Sequence, residues 1–273
     1  MEALGRSPED LSDRFGDLQV TRQGAVATLL MDRPAKLNAM RRRFWADLCA
    51  AFDVLQNDGR TRVAIITGAG DRAFSAGGDL AEMDGMTDLE DARLYQNEAM
   101  DAFVAVESAS IIVIAAVNGL ALGGGCELTL ACDFAIASED AQFGMPESRI
   151  GLVPGYGIVR APGLIGPRMT KYLIASCNTI SAQRAYEIDL VQAVYPKAQL
   201  MAEAHALAQS VAIRSSTALV AGKRIVDRAQ DQAGIHHSIE ALATLQAGPD
   251  RDEGIKALLA KRTPKFIPPA PHR

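Results

Sequence analysis

Between Ser108 and Cys132, a run of 25 residues, Glu127 is the only Asp, Glu, Lys or Arg. It follows the apolar segment Ile111–Val117 and three consecutive glycines, Gly123 to Gly125, so its surroundings are predicted to be largely apolar. Burying a carboxylate is costly unless the group is paired or protonated. Taken alone, Glu127 reads equally well as a glutamate on the one wet face of a helix, because charged residues are rarely fully buried. Glu147, in Phe143-Gly-Met-Pro-Glu-Ser, reads alone as a solvated turn or a helix cap. The two together carry a different meaning. Carboxyl groups in separate loops at strand ends can converge, and a close pair separates in pKa so that one is protonated while the other is ionised.

The turns around these residues repeat a pattern. Val63–Thr67 leads into Phe74-Ser-Ala-Gly-Gly-Asp-Leu80, and Ile111–Val117 leads into Leu122-Gly-Gly-Gly-Cys-Glu-Leu128. Each is a buried strand, a glycine-bearing turn and a helix start, which offers unpaired backbone N–H groups where the helix dipole also favours negative charge. Close packing of helix on strand is the ordinary reason for such glycines. Thr67-Gly-Ala-Gly70 is not a dinucleotide or phosphate loop, since it lacks a complete G-x-G-x-x-G and a Walker Lys-Ser/Thr. His236 and His237 are adjacent and would point to different faces of a helix, so no metal site is expected. Ser75 reads as a turn residue, Cys126 as a packing residue and Lys36 as a solvated loop lysine.

The elements that must position these residues alternate strand and helix, which indicates an α/β architecture. Leu18–Leu30 reads as two strands meeting at Gln23-Gly24, and residues 41–57 as a helix with Phe44, Leu48, Phe52 and Leu55 on one face. Val63–Thr67, Ile111–Val117 and Asp133–Ala137 read as buried strands, and residues 89–107 as a second helix. Residues 1–16 lack periodicity and are expected to be loose. Residues 17–198 form the expected α/β core, 199–263 a helical region without strands, and 264–273, with four prolines, an irregular tail.

Composition narrows the partners. With 28 basic and 33 acidic residues and a net charge of −5, the chain lacks the basic excess of a nucleic-acid binder. Its four cysteines form no Cys-x-x-Cys pair and read as reduced thiols of a cytoplasmic protein. The opening MEALGRSPEDLSDRFGD is too polar for a signal peptide, and Ile111–Gly125 is too short and interrupted for a membrane span.

In consistent order over about residues 17–266, the sequence resembles the enoyl-CoA hydratase/isomerase (crotonase) family. The resemblance rests on Met31-Asp-Arg-Pro-Ala-Lys-Leu-Asn-Ala-Met40, Phe74–Leu80, Ile114–Leu128, Ala141-Gln-Phe-Gly-Met-Pro-Glu147, Ile180-Ser-Ala and Asp252-Glu-Gly-Ile…Lys261-Arg. It implies a crotonase-like spiral of β-β-α units, a C-terminal helical trimerisation region, and assembly as a trimer or dimer of trimers. It also implies that the N–H groups of Ala76 and Gly124 form an oxyanion hole for a thioester carbonyl. Glu127 and Glu147 fall where the family's hydratases keep two catalytic glutamates, whereas many other members keep one or neither. Lys36, Gly77, Gly78, Asp79 and Gly155 are implied to line the acyl-CoA site, with Phe266 reaching one on a neighbouring subunit.

The implied reaction adds water to a trans-2-enoyl-CoA. Attack at C3 creates an enolate, and each preorganised N–H donor at its oxygen contributes typically about 3 kcal/mol. Ionised Glu127 would activate the water and protonated Glu147 would deliver a proton to C2, help worth roughly 10²–10⁴-fold in rate. No metal or redox cofactor is needed, since coenzyme A arrives as part of the substrate. Double-bond isomerisation and silent acyl-CoA binding are the alternatives. One stretch departs from the family: where it commonly reads Pro-Gly-x-Gly-Gly-Thr-Gln-Arg, this chain has Pro154-Gly-Tyr-Gly-Ile-Val-Arg160, which alters the following helix start and the acyl pocket.

Overall fold

The structure is a computed structural model that describes residues 11–227, 239–240, 242–262 and 264. Its largest sheet has seven strands. β1 (Leu11–Phe15), β2 (Leu18–Gln23) and β3 (Val26–Met31) pair antiparallel, and β2 alternates buried and more exposed residues as a strand with one wet face should. β3 then pairs parallel with β4 (Val63–Gly68), followed across the sheet by β6 (Ile112–Val117), β8 (Phe134–Ser138) and β11 (Ala193–Tyr195). β4 and β6 are buried along their whole length, which explains why they read as uninterrupted apolar runs.

A second, four-stranded sheet runs β10-β9-β7-β5, made from Ile180–Ser181, Gln142–Gly144, Leu120–Leu122 and Ala73–Ser75. Consecutive turns of chain therefore place one strand in the large sheet, one in the small sheet and then a helix. β4, β5 and α2 (Leu80–Met83) make one turn; β6, β7 and α4 (Gly124–Ala131) make the next; β8, β9 and α5 (Gly157–Ile165) make a third. This is the expected β-β-α spiral. It brings the ends of β5, β7 and β9 side by side, so the segments that follow them meet at one place.

The large sheet is covered on both faces. α1 (Arg42–Asn57) and α3 (Leu89–Glu107) pack in the main core with Phe44, Leu48, Phe52 and Leu55 buried, as their spacing predicts. The other face receives α8 (Leu200–Ala212), whose Leu200, Ala204 and Ala208 stand four residues apart and join Val63, Ile65 and Ile114 in a second apolar cluster. The helical region after residue 199 is thus partly built into the core. α9 spans Ser216–Asp227 and α10 Pro249–Leu259; between them, residues 242–246 are helical. Residues 228–238, 241 and 263 of the expected helical region lie outside the described residues, as does the tail apart from Pro264. Among the described residues no helix is long and apolar enough to cross a membrane.

Two expectations change. Leu11–Phe15 is an edge strand held by pairing with β2, although only Leu11 and Phe15 are apolar in it, and backbone hydrogen bonds of this kind leave no sequence period. β11 was not anticipated either, because three residues flanked by loops carry too little pattern.

Two asparagines and one arginine tie distant segments together. Asn118 Nδ2 donates to the carbonyls of Gly68 (2.8 Å) and Gly70 (3.0 Å), and its Oδ1 accepts the Gly68 N–H at 3.1 Å. Asn38 Nδ2 donates to Ala69 (3.0 Å) and Ala73 (2.8 Å) carbonyls on the same turn. Arg251, completely buried at the start of α10, donates to the carbonyls of Gln246 (2.8 Å), Met83 (3.0 Å) and Met86, so it fastens the segment after α2 to the C-terminal helices. Asn118→Ala removes the partners of three backbone groups of the 68–70 turn, the two of Gly68 being buried, and chemical denaturation is expected to show a loss of about 2–4 kcal/mol.

Candidate active site

The carboxyl groups of Glu127 and Glu147 share one cavity of about 290 Å³. Glu127 stands in the first turn of α4, where the helix direction is dictated by the glycines before it. A Cβ on Gly125 would lie 2.3 Å from the Ser75 carbonyl oxygen, so only glycine lets α4 sit this close to β5. The close-packing explanation of the triple glycine is therefore correct, and it is also what sets Glu127 in place.

Glu127 is only 7% exposed, so it is not on a wet face. Its Oε1 accepts the N–H groups of Tyr156 and Gly157, both at 2.8 Å. Burial raises its pKa to about 7, and the two backbone N–H groups oppose that rise. Glu147 opens a 3₁₀ turn, Glu147–Ile150, but its side chain caps nothing. Both of its oxygens are buried and meet no hydrogen-bond partner among the described residues. Burial and then the proximity of Glu127 hold its pKa well above the usual carboxylate range. The pair is thus split. Glu127 is the member with hydrogen bonds that favour ionisation, and Glu147 is the member that keeps its proton.

The backbone donors require a correction. The N–H of Ala76 donates to the Leu37 carbonyl at 2.9 Å, so it is not available to a ligand. Gly77 follows at φ 93°, and there the chain turns. Met40 N–H bonds the Gly77 carbonyl and Asp79 N–H bonds the Met40 carbonyl, a parallel bridge that leaves the Gly78 N–H outside the pairing. Among the described residues neither the Gly78 N–H nor that of Gly124 meets an acceptor, and both glycines line the cavity. The two lie close together: a Cβ on Gly124 would stand 3.7 Å from the Gly78 nitrogen. The sequence pattern pointed to the right turn and to a residue two positions early.

The other anticipated residues divide. Gly77 and Gly155 line the cavity. Asp79 is occupied structurally: it caps α2 through Ala81 N–H at 3.1 Å and binds Arg33 Nη1 at 2.9 Å. Lys36 is exposed at the end of the 3₁₀ turn Pro34–Lys36, away from the cavity lining. Phe266, Lys265 and His236-His237 lie outside the described residues. Ser75 is the turn residue it was read as, its Oγ bonded to the Asn38 carbonyl (2.9 Å) and to Gly77 N–H (3.1 Å). Cys126 is buried, and its thiol pKa is raised by desolvation and then by Glu147 and Glu127, as befits a packing residue.

Two features escaped the sequence reading. The amides of Tyr156 and Gly157 carry no side-chain signal. The apolar wall from α1 and α3, including Trp45, Tyr95, Met100 and Phe103, looked like ordinary core.

Residues 21–268 match the sequence model of the enoyl-CoA hydratase/isomerase family. The chain is 37% identical over 262 residues to the 2,3-dehydroadipyl-CoA hydratase of Escherichia coli, covering 92% of this chain and 99% of that one. It is 34% identical over 258 residues to the crotonyl-CoA hydratase of Syntrophomonas wolfei, covering 93% and 98%. Among solved structures, the enoyl-CoA hydratase of Bacillus anthracis superposes with a TM-score of 0.75 at 35% identity, covering 92% of this chain and 98% of that one.

The state of Glu147 has a measurable consequence for stability. A carboxyl whose pKa is higher in the folded than in the unfolded chain stabilises fully below its unfolded value of about 4.3 and less as pH rises through its folded value. Glu147→Gln removes that loss, so denaturation from about pH 5 to pH 9 should show the variant gaining steadily on the parent toward the alkaline end. Parallel pH curves for the two proteins would mean that the carboxyl is solvated.

Proposed function

The chain belongs to the enoyl-CoA hydratase/isomerase family, and from that premise we propose how its own residues add water to a trans-2-enoyl-CoA. It is a hydro-lyase, and the hydratases among its relatives favour this reading over isomerisation or silent binding. One observation carries the assignment of roles: two carboxyl groups in one cavity have opposite hydrogen-bonding states, beside two glycine N–H groups that meet no acceptor among the described residues.

The thioester carbonyl oxygen takes the N–H groups of Gly78 and Gly124. Gly124 is the first residue of α4, so the helix dipole adds to the hydrogen bonds as negative charge grows on that oxygen. Glu127, kept ionised by the Tyr156 and Gly157 amides, accepts a proton from water as the water oxygen bonds C3. The electron pair of the C2–C3 double bond moves toward the carbonyl and forms the enolate. Glu147 donates its proton to C2 as the enolate collapses, and exchange with water restores the starting protonation of the pair. Every proton is moved by the chain's own groups, so no metal or redox cofactor enters.

Coenzyme A arrives as part of the substrate, and Lys36, exposed near the turn that leads to the cavity, is assigned to its nucleotide end. Self-association as a trimer or dimer of trimers is part of the same reading. Ile213 and Val226, 76% and 71% exposed at the end of α8 and in α9, are apolar surface suited to a second copy. The chain is assigned to the cytoplasm, in keeping with its free thiols.

With purified protein and crotonyl-CoA, the loss of enone absorbance reads the reaction directly. Glu127→Gln and Glu147→Gln are each expected to lower turnover by at least about 10²-fold while leaving acyl-CoA binding largely intact. Near-normal rates in both would rule out the two-carboxyl mechanism. Because Glu127 must be ionised and titrates at about 7, kcat/KM should fall about tenfold per pH unit below that value. The acidic limb should be absent from the residual rate of Glu127→Gln.

A further inference from the structure

The cavity wall supplied by α3 is a single helical stripe: Gln96, Ala99, Met100 and Phe103 follow the i, i+3, i+4, i+7 spacing of one face. The next position on that face, four residues after Phe103, is Glu107. Its carboxylate is not free to meet a ligand. Oε2 accepts the hydroxyl of Tyr156 at 2.8 Å, and Oε1 pairs with Arg160 Nη2 at 2.8 Å, the two charged side chains being 15% and 7% exposed. The Tyr156 ring is fully buried and lies against Phe103, with centroids 5.0 Å apart. Phe103 in turn packs on Trp45 at 5.4 Å.

From this arrangement we propose that Tyr156 is the specificity-determining residue for acyl-chain length: its phenol ring, pinned by Glu107, closes the end of the α3 stripe and restricts the site to short acyl groups. The proposal rests on the reading of the cavity as an enoyl-CoA site. An alkyl chain that enters past Glu127 and Glu147 can run along Ala99, Met100 and Phe103, but there it meets the ring. To go further it must break the Tyr156–Glu107 hydrogen bond and bring methylene groups against a buried ion pair, which exchanges a satisfied polar cluster for an unsatisfied one. The cavity volume of about 290 Å³ is at the small end for ligand sites, and the thioester must share it with the acyl group. Arg160 stands where the family pattern commonly has Gln, and Tyr156 fills the position that pattern leaves open, so the ion pair beside the ring belongs to this chain's own variation.

The test separates binding from turnover. Calorimetric titration of the full-length protein with butyryl-, hexanoyl-, octanoyl- and decanoyl-CoA measures chain length without any reaction. The unmodified protein is expected to bind the decanoyl ester at least about tenfold more weakly than the butyryl ester. Tyr156→Ala keeps the backbone amide that holds Glu127 and is expected to shift that ratio at least about tenfold toward the decanoyl ester, with the same change in kcat/KM for 2-decenoyl- against crotonyl-CoA. Tyr156→Leu, which keeps more of the apolar volume, should shift it in the same direction and serves if the alanine variant does not fold. Equal binding of long and short esters by the unmodified protein overturns the proposal, as does a ratio left unchanged by these substitutions. Failure of the unmodified protein to hydrate any enoyl-CoA would instead overturn the hydratase reading, and the binding series would still decide the role of Tyr156.

Discussion

Two carboxyl groups share one cavity, and the rest of the structure is arranged around keeping them different. Desolvation pushes both toward the neutral form, and their mutual repulsion forbids two charges at once. What breaks the symmetry is a pair of backbone amides from the segment that starts α5, both aimed at a single oxygen of Glu127. Glu147 receives nothing comparable among the described residues. The proton therefore has a defined place, and the division between base and acid follows from where two N–H groups point rather than from any difference between the glutamates themselves.

The scaffold serves this by geometry at three turns. β5, β7 and β9 lie side by side in the small sheet, so the chain leaving each of them arrives at the same cavity. The first contributes Gly78, the second Gly124 and Glu127, the third Glu147. Asn38 and Asn118 hold the 68–70 turn that precedes β5, replacing the hydrogen bonds that irregular backbone would otherwise lack in the interior. The Gly78 amide is flanked by hydrogen-bonded neighbours, the N–H groups of Gly77 and Asp79 meeting Ser75 Oγ and the Met40 carbonyl.

Much of this was legible in the sequence, for reasons that can be stated residue by residue. The isolation of Glu127 in a charge-free run singled it out without deciding between burial and a wet helix face, and the repeated strand–glycine–helix pattern marked both turns that carry free amides. β4 and β6 were plain because strands covered on both faces are apolar throughout. What was hidden shares one trait, which is that it depends on backbone direction. Ala76 and Gly78 sit in the same tight turn, and only the positive φ of Gly77 between them decides which N–H is free. The amides of Tyr156 and Gly157 have no side-chain signature, and β1 and β11 are held by pairing that leaves no hydrophobic period. Glu107 stood one residue outside the uncharged run and gave no sign that its carboxylate was spoken for.

The buried guanidinium of Arg251 carries a consequence for how the molecule is made. It reaches the carbonyl of Met83, 168 residues earlier in the chain, and that of Met86. During synthesis those carbonyls emerge 168 and 165 residues before Arg251, their donor, so this flank of the pocket waits for a much later stretch of chain. The β-β-α turns can pack on one another as they emerge, but this wall of the pocket closes only when the helical segments that carry Leu242 and Leu258 dock on it, since both residues line the cavity.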